Sequence, residues 1–142
     1  MGRRASREIA MKLLYQLEIQ RDDRETQIQR VLEENSFTEK DREYVIEVIG
    51  GVQNNLANID KAIEIHSKGW KIGRISKIDL SIMRLSIYEI CFRDDIPYNV
   101  SVNEAVELAK KYSSEDAGSF VNGILSKVSR VSELPEEKTS GE

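Results

Sequence analysis

Apolar residues recur at three- and four-residue spacing along nearly the whole chain, the period of an amphipathic helix. The spacing predicts a first helix over about Ser6–Arg21. Stepping its residues at 100° gathers Ile9, Ala10, Leu13, Leu14 and Leu17 into a core stripe. Met11, Tyr15 and Ile19 form a second, smaller column. A helix with two apolar faces is either sandwiched or offers one of them to a partner. A polar turn at 22–25 precedes a short helix around Ile28, Val31 and Leu32. Thr38-Glu-Lys-Asp41 has the form of a capping box. It opens a helix carrying Tyr44, Val45, Val48, Ile49 and Val52, and Ile59, Ile63 and Ile65 extend the pattern beyond a break near 54–58. Gly50-Gly51 inside that helix costs roughly 1 kcal/mol per glycine against alanine and reads as room for close helix packing.

Lys68-Gly-Trp70 with Gly73 is the clearest break and divides the chain near its middle. Ser76-Lys-Ile-Asp79 caps the next helix. From Ile78 to Phe92 apolar residues point in nearly every direction, the mark of a helix surrounded by others. Arg93–Pro97 reads as a loop. Ser101-Val-Asn-Glu104 predicts the cap of a helix ending near Tyr112, and Ser113-Ser-Glu-Asp116 that of a last helix reaching about Arg130. The expected fold is all-α, with about six or seven helices in two small bundles packed as one compact domain. That domain spans residues 1–134, with an N-terminal half at about 1–68 and a C-terminal half at about 74–131. The acidic tail at 135–142 is expected to fray.

Composition narrows the function. The 142 residues are 39% hydrophobic and 32% charged, which suits a patterned helical protein with a core of its own. A net charge of −4 gives no broad attraction for nucleic acid, so any such binding needs a local patch. The single cysteine, Cys91, excludes an intrachain disulfide. No run of about 18 apolar residues suggests a membrane span, and the basic start lacks the apolar segment of a signal peptide. The cytoplasm is the default location. The one histidine, His66, lacks the partners of a general base, Cys91 lies in the most apolar helix, and no zinc spacing or Gly-rich phosphate loop is present. Neither an enzyme nor a cofactor is expected.

The chemistry that remains is that of binding. Arg3, Arg4 and Arg7, with Lys12 behind them, suit phosphate contacts because guanidinium forks match phosphate oxygens and stack on bases. Lys68, Lys71, Arg74 and Lys77 recur every third residue around the mid-chain break and read first as a solvated loop. In the last helix Ala117, Val121, Ile124, Leu125 and Val128 supply the core stripe. Phe120 falls at its edge. Buried, it is a core residue; exposed, it is a platform for an unpaired base, with Asp116 one turn earlier able to accept from a base edge. Gly123 leaves room for close approach.

Four segments resemble the NusB family of bacterial transcription antitermination factors. They are Asp95-Ile-Pro-Tyr-Asn-Val-Ser-Val-Asn-Glu-Ala-Val-Glu-Leu-Ala-Lys110, Phe120-Val-Asn-Gly-Ile-Leu125, Met83-Arg-Leu-Ser-Ile-Tyr-Glu-Ile90 and the arginine-rich start Arg3–Tyr15. The resemblance covers nearly the whole chain except the acidic tail, most closely in the C-terminal half. It implies an all-helical fold of two small bundles. It also implies binding of boxA RNA in ribosomal RNA leader transcripts together with NusE, a small-subunit ribosomal protein, and action on the RNA polymerase elongation complex with other Nus factors. It implies RNA contacts at Arg3, Arg4, Arg7, Asp116 and Phe120, and a NusE-facing side holding Tyr15 and Asp79, although Asp79 also fits a helix cap. Two alternatives stand beside this reading. One is an RNA-binding module like the N-terminal domain of a ribosomal RNA cytosine methyltransferase. The other is a structural protein that forms a homodimer through the second apolar column of the first helix.

Overall fold

The computed structural model describes residues 1–128, so the tail at 135–142 and the end of the domain before it lie outside the described residues. Among those described, the chain forms α1 (Arg3–Ile19), α2 (Arg24–Glu34), α3 (Glu39–Asn54), α4 (Leu56–His66), α5 (Lys77–Phe92), α6 (Tyr98–Tyr112) and α7 (Glu115–Leu125). A 3₁₀ turn at Ile72–Arg74 precedes α5. No helix among the described residues is long and apolar enough to cross a membrane.

Cap chemistry sets three of the helix starts. Thr38 Oγ1 accepts from the Asp41 amide at 3.1 Å, Ser76 Oγ from the Asp79 amide at 3.1 Å, and Ser114 Oγ from the Ala117 amide at 3.0 Å. Each hydroxyl satisfies one of the amides that a helix start leaves without a partner. The start of α6 differs from the expected cap at Ser101. Pro97, its φ fixed near the helical value by the ring, stands just before the first residue, Tyr98, and its carbonyl accepts the Val100 and Ser101 amides. Ser101 lies inside the helix because its hydroxyl turns inward to donate to Glu89 Oε1 at 2.8 Å. The last helix stops at Leu125, short of Arg130.

Helix α5 is the axis of the molecule. It packs against α1, α3, α4, α6 and α7, and Leu80, Ile82, Met83, Leu85, Ile87 and Ile90 are all buried in one continuous core. Although α4 belongs to the first half of the chain, it rests on α5 and α7. Helix α1 lies against α3 and α5, which divides the second apolar column: Met11 is fully buried as in a sandwiched helix, Tyr15 is half-buried, and Ile19 is open, at 56% exposure. Ile65, expected to extend the core pattern of α4, is exposed at that helix's end. One glycine of the Gly50-Gly51 pair explains the close packing, since a methyl group on Gly51 would overlap the Tyr88 ring of α5 whereas one on Gly50 would meet nothing.

Ion pairs fix the helix directions. Arg7 near the start of α1 meets Glu89 near the end of α5, while Glu18 near the end of α1 meets Arg84 in the middle of α5 at 2.9 Å and Lys77 at its start at 3.6 Å. These two helices are antiparallel. Helix α6 runs beside α1 in the same sense, because Arg4 meets Glu104 and Glu8 meets Tyr112.

Candidate nucleic-acid interface

The arginines of α1 have three different environments. Arg4 is exposed and forked onto Glu104 of α6, with Nε–Oε1 at 3.0 Å and Nη2–Oε2 at 2.8 Å. Arg3 is half-buried with its guanidinium 4.3 Å from the centre of the Tyr44 ring, a cation–π arrangement. Arg7 is buried. Its Nε donates to Glu89 Oε2 at 2.9 Å and its Nη2 to Glu89 Oε1 at 3.2 Å, and the same carboxylate accepts from Tyr44 and Ser101. Burial works against the charge of Arg7, but the hydrogen bonds and the charge of Glu89 outweigh it, and the guanidinium pKa is raised. Arg7 thus holds the start of α1 onto α5, while Arg3 and Arg4 remain nearest the surface. The three arginines line one shallow depression with Asp95, Pro97 and Glu104.

Further along the α1–α6 groove lies a feature that the sequence reading passed over. The Tyr112 ring carries two ammonium groups, Lys12 Nζ at 5.2 Å and Lys111 Nζ at 5.4 Å from its centre. Glu8 closes the group, accepting from Lys111 at 2.8 Å and from the Tyr112 hydroxyl. Those bonds hold the Glu8 carboxyl below its ordinary pKa. The adjacent Lys110-Lys111-Tyr112 at the end of α6, one residue before a predicted break, was the available signal.

At the far end of α5, Asp79, Asp116 and Phe120 line one pocket with Trp70, Arg74 and Ser113. Phe120 is half-buried and meets Trp70 edge to face, centroids 5.9 Å apart and planes at 67°. Asp116 is exposed on the first turn of α7. Asp79 is 8% exposed, and its Oδ1 has no hydrogen-bond partner. Burial pushes its pKa up, opposed in part by hydrogen bonds from Ser76 and Ser113. Its backbone amide does fill the capping role with Ser76. Tyr15, one turn before Glu18, lies toward this same end of the α1–α5 pair. The residues expected to touch RNA therefore form two groups at opposite ends of α5, about 15 Å apart along the axis between Asp79 and Glu89. The lysine-flanked Tyr112 stands in the α1–α6 groove between them. Asp79, expected to face a protein partner, shares the pocket of Asp116 and Phe120.

Against this geometry the comparisons with known proteins decide the family. The model of the NusB family matches residues 4–130. The chain belongs to the NusB family. Among NusB relatives, the transcription antitermination protein of Acetivibrio thermocellus is 64% identical over 131 residues, covering 92% of this chain and 90% of that one. That of Ruminiclostridium cellulolyticum is 61% identical over 142 residues, covering 100% and 97%. The fold is similar to T. maritima NusB, with a TM-score of 0.85 at 37% identity over 95% of this chain and 94% of that one. It is also similar to the crystal structure of antitermination factors NusB and NusE in complex with dsRNA, with a TM-score of 0.79 at 29% identity over 87% and 92%. The NusB family consists of transcription antitermination factors rather than enzymes.

Proposed function

We propose that the protein is a non-enzymatic RNA-binding adaptor of transcription antitermination in the cytoplasm. It holds boxA RNA of ribosomal RNA leader transcripts together with a NusE-type ribosomal protein and acts with other Nus factors on the elongating RNA polymerase. The observation that carries this reading is a cationic start, a lysine-flanked tyrosine and an aromatic pocket, in a fold similar to a NusB bound to NusE and dsRNA. Guanidinium and ammonium groups serve phosphates, and Phe120 serves a base face. Arg3 and Arg4 supply the direct contacts at the arginine end. Arg7 acts by holding α1, and Asp116 accepts from a base edge beside Phe120. Tyr15 and Asp79, toward the same end of the α1–α5 pair, are the residues assigned to the protein partner, Asp79 from within the pocket it shares with Phe120.

The acids set the affinity. Glu104 and Glu8 already occupy Arg4 and Lys111, so a phosphate must displace a carboxylate. Binding by the chain alone is therefore weak and salt-sensitive. A partner bound to both protein and RNA raises the effective concentration of each contact. Filter binding of a boxA oligonucleotide tests this reading. The NusE-type partner is expected to tighten binding severalfold or more, and Phe120→Ala to weaken it. Equal affinity with and without the partner refutes the adaptor.

A further inference from the structure

The connection between α4 and α5 combines features that the helix-lined surface lacks. Trp70, the only tryptophan of the chain, is 51% exposed. It stands among Lys68, Lys71 and Arg74, which with Gly69 line a single shallow recess. No acid occurs from Lys68 to Lys77, and the acids near the indole, Asp79 and Asp116, line the pocket it shares with Phe120 rather than this recess. Lys77, the fourth cation, faces away toward Glu18 at 3.6 Å, so three cations remain around the indole.

The segment is held in place. Lys68 and Gly69 take left-handed backbone angles, φ 53° and 92°. Ser67 Oγ donates to the Trp70 carbonyl at 2.8 Å, the Trp70 amide donates to the Ser67 carbonyl at 3.3 Å, and the Ile72 amide donates to Glu64 Oε2 at 3.0 Å. A fixed loop loses little freedom when a ligand settles on it. Trp70 and Phe120, the base platform of the proposed function, meet edge to face, so the two aromatic side chains are contiguous.

We propose that this loop is a second single-stranded RNA site, continuing the strand beyond Phe120. Trp70 stacks the next unpaired base, and Lys68, Lys71 and Arg74 hold the phosphates beside it. An exposed aromatic with cations along one side is the arrangement that binds unpaired nucleotides without reading sequence. The cores of protein interfaces, by contrast, are depleted of lysine, so the charge favours RNA over a protein occupant. The proposal rests on the RNA-binding reading above and adds residues to it.

The test uses the full chain and two single-stranded oligonucleotides. One carries the boxA element alone, and the other is extended by several nucleotides at each end. Binding of the extended RNA is expected to quench Trp70 emission. Trp70→Ala is expected to weaken its binding about five- to 150-fold, the worth of one stacked base. Lys68→Glu/Lys71→Glu is expected to reduce the slope of log affinity against log salt by about 1.4, for two lost single-strand phosphates. Both effects shrink with the shorter RNA. The altered side chains are exposed, and unchanged melting temperatures confirm that each variant folds. If the parent binds RNA and Phe120→Ala weakens it, yet both loop variants match the parent at either length, the loop proposal fails alone. If the loop variants lose a NusE-type partner but bind RNA normally, the loop is a protein surface and the proposal fails. If the parent binds neither RNA, the proposed function fails with it.

Discussion

Glu89→Gln is the most informative single perturbation of the fold. Glu89 is fully buried, and its two oxygens accept four hydrogen bonds from three other helices: two from Arg7 of α1, one from Tyr44 of α3 and one from Ser101 of α6. Glutamine keeps the size of the side chain, removes its charge and turns an amide donor toward donors already present. The Arg7 guanidinium is then left buried, with Glu104 at 3.7 Å as its remaining counter-charge. Breaking a buried pair by removing one partner costs about 3–5 kcal/mol, which for a chain of this size lowers the melting temperature by about 10–20 °C. The assay is urea unfolding followed by circular dichroism, with parent, Glu89→Gln, Arg7→Met and the double variant forming a cycle. The double variant is expected to be at least about 1 kcal/mol more stable than the sum of the single changes implies. A Glu89→Gln chain within about 1 kcal/mol of the parent, or a cycle that adds without coupling, refutes the reasoning. The same cycle bears on function. If Arg7 holds α1 and touches no RNA, the RNA affinity of Arg7→Met measured well below its melting temperature falls less than that of Arg4→Ala.

Two further predictions use other parts of the fold. Gly51→Ala forces a methyl group into the Tyr88 ring, which is fixed by stacking on Phe92 at 4.9 Å and by donating to Glu47 at 3.0 Å, so overpacking costs about 1–3 kcal/mol. Gly50→Ala meets open space and gains up to about 1 kcal/mol of helix propensity; equal melting temperatures for the two variants contradict the packing argument. Burial raises the pKa of Asp79 above its unfolded value, so its ionisation penalises the folded chain increasingly as pH rises from the unfolded value through the folded one. Asp79→Asn is therefore more stable than the parent at neutral pH, by a margin that vanishes below about pH 4, and a margin constant from pH 3 to 7 in denaturant titrations rules this out.

Local chemistry was legible in the sequence, and distant pairing was not. Thr38, Ser76 and Ser114 mark helix starts because each cap is completed within three residues. The apolar surround of 78–92 revealed α5 as central because its own residues carry that information. Ser101 misled because it carries the signature of a cap while its partner is Glu89, on another helix. The column of Met11, Tyr15 and Ile19 left open whether it is sandwiched or faces a partner, because a helical wheel shows directions but not how many neighbours a helix has. The arginine end was visible as composition. Its division into an exposed Arg4, a half-buried Arg3 and a buried Arg7 depends on Glu104, Tyr44 and Glu89, which no local pattern joins to the first seven residues. The pairing of Lys12 and Lys111 across Tyr112 was hidden for the same reason, and so was the meeting of Trp70 with Phe120.

The convergence on Glu89 also bears on synthesis from the N-terminus. When α1 through α4 have left the ribosome, Arg7 and Tyr44 are already present, but the carboxylate that receives them is not. Ser101, the third donor side chain, follows only after α5 and the loop beyond it. The first half of the chain thus emerges with the polar groups of its future core still needing water, which discourages early closure around the wrong neighbours. A single acid near the end of α5 makes the earliest helix wait for the fifth before its buried arginine has a counter-charge.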